Sequence, residues 1–158
     1  MKKLLVFILI IITFFLNGCS QESKFGLEQF VDRMNSDFET SFNTSDFLLS
    51  SKDDENFLFY KQDELMYTLS LDANNKIKGI GLLLTAECDI DKGIEIFCQM
   101  CSTFTGNDFE NQSQIFSDCK ITADKINYAD SNQVITVGRY KYTVVCNTYS
   151  ITMFCDKV

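Results

Sequence analysis

Cys98-Gln99-Met100-Cys101 places two thiols three positions apart, the C-x-x-C spacing used in disulfide exchange. At a helix N-terminus such a pair gains a lowered thiol pKa and redox reactivity. Here the pair falls in mid-helix, about two turns past the nearest capping residue, on or beside an apolar stripe. The chain has no proline, so it lacks the cis-proline that thioredoxin-like proteins set beside this motif. Core or disulfide cysteines are therefore the first reading, and a thiol-disulfide enzyme using Cys98 and Cys101 is the alternative. Haem attachment fails, because Ser102 stands where a histidine is required.

The absence of histidine cuts deeper. It removes Ser-His-Asp and Cys-His catalysis, histidine zinc sites and the commonest general base near neutral pH. Carboxylate chemistry survives, with acidic clusters at Asp53-Asp54-Glu55, Asp63-Glu64 and Asp89/Asp91. A glycosidase could use two of these, but each lies at an expected turn or helix start, where acids serve solvation and capping. Asp72-x-Asn74 is not a calcium loop, since Ile77 stands where the EF-hand needs glycine. Gly79-Ile80-Gly81 lacks a third glycine and lies within an expected strand, so it is no phosphate loop. A four-cysteine zinc site would need reduced thiols outside the cytoplasm. The expectation is thus a non-enzyme with no cofactor and no metal. Tyr128, Tyr140, Tyr142 and Tyr149 form an aromatic set. On an open sheet face they would suit a protein, peptide or glycan partner; otherwise they cover the sheet.

The surrounding pattern is α+β. Leu27, Phe30, Val31, Met34 and Phe38 recur on one face of a helix ending near Thr40 to Asn43. Strand signals follow over residues 46–50, 57–61, 65–72 and 77–85, with a turn at Asn74-Asn75 and a bulge or close approach at Gly79 and Gly81. A second helix, capped by Asp89 or Asp91, carries Ile90, Ile94, Phe97, Cys98, Cys101 and Phe104 and stops at Gly106. Residues 107–118 are expected as a long loop with at most a short helical turn. Strands are expected at 120–129, at 133–146 with a bend at Gly138, and at 149–155. The order helix, strands, helix, strands implies a two-layer sandwich: an antiparallel sheet with both helices on one face.

The N-terminus gives an address. Lys2 and Lys3 precede an apolar run from Leu4 to Leu16. The run is shorter than the roughly 20 residues of a membrane span and fits a signal-peptide core. Leu16-Asn17-Gly18-Cys19 resembles the lipobox of bacterial lipoproteins, with Asn17 a departure from the small residue usual at that position. The resemblance covers the first 19 residues. It implies a diacylglyceryl group on the Cys19 thiol, cleavage before Cys19, and a membrane anchor on the extracytoplasmic face of the cell envelope.

The expected organisation is a signal peptide at 1–18, a polar tether at 19–24 and one α+β domain at 25–158. Removing Lys2 and Lys3 takes the formal charge from −8 to −10. So acidic a chain is repelled by phosphate backbones and by anionic membrane faces, and nucleic acid is not an expected partner. With Cys19 lipidated, Cys88, Cys98, Cys101, Cys119, Cys146 and Cys155 remain, an even set that in an exported protein suggests disulfides. The free buried thiol is the competing reading. Function is expected to be binding or scaffolding at the envelope, with an inhibitor or immunity-like partner protein as a further alternative.

Overall fold

A computed structural model describes residues 25–52, 55–85, 87–118, 131–147 and 149–158. The described residues form three α-helices and a seven-stranded antiparallel sheet, so the fold is α+β. Helix α1 (Leu27–Phe38) buries Phe30, Val31 and Met34 at helical spacing and ends at Glu39 in the left-handed region. A short 3₁₀ turn, Thr44–Asp46, leads into β1 (Leu48–Lys52), β2 (Glu55–Gln62), β3 (Leu65–Leu71) and β4 (Ile77–Thr85). Helix α2 (Ile90–Thr105) starts where the Asp89 carboxylate accepts from the Lys92 amide at 3.2 Å. It stops at Gly106, whose φ of 74° is costly for any residue with a Cβ. Helix α3 (Phe109–Asp118) is followed by β5 (Ser131–Val137), β6 (Tyr140–Cys146) and β7 (Ser150–Lys157).

The strand order is β1-β2-β3-β4-β7-β6-β5. The second group of strands therefore folds back so that β7 pairs with β4, with Leu82 opposite Met153 at the centre. Alternate residues of β3 (Leu65, Tyr67, Leu69, Leu71) share a buried face, as do Tyr142, Val144 and Cys146 of β6 and Ile151, Met153 and Cys155 of β7. Helix α2 packs on β4, and α1 and α3 each pack on α2. The core is one cluster fed by the three helices and by every strand except β1, whose Leu48 and Leu49 are exposed.

Two expectations are corrected. Residues 109–118 are helical, not a loop. The Asp108 carboxylate accepts from the Asn111 amide at 2.8 Å as a cap, and a glutamine, Gln112, occupies the buried position, which breaks the apolar period. The run 133–146 is not one bent strand: Gly138, at φ 59°, permits a two-residue hairpin turn with Val137 opposite Tyr140. The strand expected at 120–129 lies outside the described residues. The close approach at Gly79 is real: a Cβ there would overlap the Asp156 carboxylate, and the β3–β4 register shifts beside it at Ser70/Leu71.

Candidate functional site

The site is a cleft of about 650 Å³ at one end of the sheet, where the entry to α1, the exit of α2, the β3–β4 and β5–β6 turns and the end of β7 converge. It exceeds two other hollows, of about 310 and 230 Å³. Its floor is a row of three rings. Phe25 lies 6.3 Å from Phe104, and Phe104 lies 5.6 Å from Tyr140 in an edge-to-face contact. Backbone bonds fix the row. The Phe25 carbonyl accepts from the Ile77 amide at 2.9 Å, tying the start of the domain to β4. Gln29 Oε1 accepts from the Gly26 amide at 3.2 Å and sets the first turn of α1. Phe104 and Thr105 line the cleft as the last two residues before α2 stops at Gly106.

Cations stand over and around this floor. The Arg33 guanidinium carbon lies 5.2 Å from the centre of the Phe25 ring, and that of Arg139 lies 5.5 Å from the centre of the Tyr140 ring. Arg33 Nη1 also donates to the Thr103 carbonyl at 3.5 Å, and a guanidinium carries five N–H donors, so this one bond leaves others for a carboxylate or phosphate. Lys76, Lys78 and Lys157 complete the lining. Lys157 sits opposite Tyr140 in the β6–β7 register, and Lys78 pairs with Glu55 at 3.1 Å.

The lining holds five cations and one acid, Asp72. That acid is committed to its own turn. Asp72 Oδ1 accepts from the Lys76 amide at 2.9 Å and the Asn74 amide at 2.8 Å. The Lys76 amide chiefly holds the Asp72 carboxyl below its ordinary pKa, so it stays ionised and bound to the backbone. A chain of formal charge −8 thus carries a local cationic pocket. Asp72 also attracts Lys76 and Lys78, and Glu55 pairs with Lys78, so Arg33, Arg139 and Lys157 are the lining cations farthest from these two acids' compensation. The arrangement can bind and orient an anion over an apolar floor.

The cysteines singled out by spacing lie elsewhere. Cys98 and Cys101 are buried on α2, and Cys146 and Cys155 are buried on β6 and β7. Burial pushes the Cys98 thiol up to about 12 and the Cys101 thiol well above its ordinary value. That is the environment of an inert core thiol, the opposite of an attacking thiolate. Cys88, Cys98, Cys101, Cys146 and Cys155 are free, so the expected disulfides do not form among them. For one pair the register gives the reason. Cys155 is opposite Tyr142 while Cys146 is opposite Ile151. An offset of four residues at about 3.4 Å each exceeds the roughly 7 Å Cα limit of a disulfide. The neighbouring Cys155 thiol adds to the rise at Cys101, and the two are not covalently linked. Cys19 and Cys119 lie outside the described residues.

The remaining candidates also resolve. Tyr142 is 2% exposed and faces the core, Tyr140 on the same strand face is half-buried and lines the cleft, and Tyr149 is 80% exposed. Tyr128 lies outside the described residues. Asp89 caps α2 and Asp63 occupies a hairpin turn at φ 51°. Among the described residues no group of three or more cysteine or acidic side chains is placed to hold a metal ion, and no helix is long and apolar enough to cross a membrane. No protein-family model, curated protein or solved structure matches the chain.

Sequence reasoning missed the cleft because its cations are scattered over 33–157 and form no basic run. The nearest signal was local: Arg139-Tyr140 beside a glycine turn, and Lys76 and Lys78 flanking Ile77.

Proposed function

We propose that this protein is a lipid-anchored, extracytoplasmic component of a bacterial envelope, and that its domain is a non-catalytic binding module whose cleft takes an anionic ligand. The observation that carries the ligand class is the inversion of charge: five cations and one turn-bound carboxylate around an aromatic row, on an acidic chain. The address rests on Leu16-Asn17-Gly18-Cys19. In this reading the helices form one layer over one face of the sheet, and the cleft opens where the ends of both layers meet. The lack of histidine and the burial of Cys98 and Cys101 support binding over catalysis.

Chromatography tests the ligand class. A sulfonate matrix excludes a uniformly acidic protein. The cleft predicts that the mature chain is retarded at low salt, and that an Arg33→Ala/Arg139→Ala double variant is not. Both proteins emerging together in the void volume would contradict the reading.

A further inference from the structure

We infer that the cleft engages the phosphate of an anionic phospholipid headgroup in the same membrane that holds the anchor, an inference that rests on the lipid-anchored reading. Three observations lead there. The first is reach. Only residues 20–24 separate Cys19 from Phe25. Six peptide steps at full extension span at most about 20 Å. Phe25 is itself a wall of the cleft, and its carbonyl is bonded to the Ile77 amide of β4. A lipidated Cys19 therefore keeps the cleft within about 20 Å of the headgroups.

The second is orientation. An anionic leaflet attracts nearby lysines and arginines and repels acidic surface. On a domain of net negative charge, the cleft is the part drawn to the leaflet. Tether and field then act together, one limiting distance and the other selecting the face.

The third is chemistry. Arg33 and Arg139 bring to the cleft the planar guanidinium groups whose geometry matches phosphate oxygens, and Lys76 and Lys157 add positive charge. Phe25, Phe104 and Tyr140 supply the amphipathic floor that suits the zone between headgroup and acyl chain. A soluble phosphate polymer shares the phosphate chemistry but not the argument from reach.

The test uses the mature chain from residue 19 with Cys19→Ser, so that no lipid contributes. It is floated with phosphatidylcholine vesicles with and without phosphatidylglycerol, and separately titrated with inorganic polyphosphate. The inference expects flotation only with phosphatidylglycerol, loss at high salt, and about five-fold weaker binding for each of Arg33→Ala, Arg139→Ala and Lys157→Ala. Lys157 is exposed at the end of β7, so removing its side chain opens no cavity in the core. Absence of flotation overturns the inference, and binding of polyphosphate without flotation reassigns the cleft to a soluble polymer. Equal flotation of all variants overturns the choice of cleft. A chain that lacks a lipid adduct in cells yet floats here refutes the anchor alone, which keeps the two failures distinct.

Discussion

The Arg33 guanidinium lies 5.2 Å from the centre of the Phe25 ring, joining the second turn of α1 to the residue at which the described chain begins. An exposed contact of this kind contributes about 0.5–1 kcal/mol to folding. Arg33→Ala should therefore lower stability slightly while markedly reducing retention on the sulfonate matrix. Arg33→Lys should restore charge without the bidentate edge and recover retention in part. A large loss of stability with unchanged retention would show Arg33 to be structural.

Tyr142 and Gln112 make a prediction in the core. The Tyr142 hydroxyl donates to Gln112 Oε1 at 3.1 Å, and Gln112 Nε2 donates to Thr105 Oγ1 at 3.0 Å. Gln112 is fully buried. Gln112→Leu should cost about 1–3 kcal/mol, because it strips buried groups of a partner. Tyr142→Phe in that background should recover part of the loss in a double-mutant cycle read by urea unfolding. Strict additivity would mean that the bond does not couple the two residues.

Gly93 of α2 lies against Leu84 of β4 so closely that a Cβ would overlap the Leu84 side chain. Alanine would gain about 1 kcal/mol of helix propensity. The overlap costs about 1–3 kcal/mol, because Leu84 is fully buried and has little room to move. Gly93→Ala should therefore destabilise on balance. Leu84→Ala should cost less in that background than in the wild type, where such truncations cost about 2–5 kcal/mol.

The thiols fix the alkaline limb of stability. The unfolded chain releases the Cys98 proton near the ordinary 9.0, whereas burial holds it in the fold until about 12. Between those values the folded state keeps a proton that the unfolded state has lost, so stability falls as pH rises. Tyr67, raised by burial from 10.0 to about 12, adds to the same limb. Unfolding titrations should be flat with respect to these groups below pH 9 and then steepen toward about 1.4 kcal/mol per pH unit for each. Native alkylation should mark the half-buried Cys88 first and Cys98 and Cys101 only after unfolding. Rapid native reaction at Cys98 or Cys101 would favour the thiol-disulfide enzyme.

Much of the fold was legible locally. The stripe Phe30, Val31, Met34 and the alternation Leu65, Tyr67, Leu69 carry helix and strand periods directly, and Gly106 stops α2 where its freedom predicts. The third helix was hidden because Gln112 fills a core position with a polar side chain satisfied by Tyr142 and Thr105. The β5–β6 hairpin was hidden because both arms are equally β-prone and only Gly138 marks the turn. The pairing of β7 with β4, and with it the cleft, depends on contacts far apart in the chain. No local pattern brings Arg33, Lys76, Arg139 and Lys157 together, and the net charge of −8 masks their local sum.

The anchor hangs on Cys19. The decisive measurement is the intact mass of the protein extracted from the membrane fraction of its host. A lipid-anchored protein begins at residue 19 and carries a diacylglyceryl adduct on Cys19, and its Cys19→Ser form leaves the membrane. A chain that retains residues 1–18, or one that begins elsewhere and carries no lipid, would contradict the anchor.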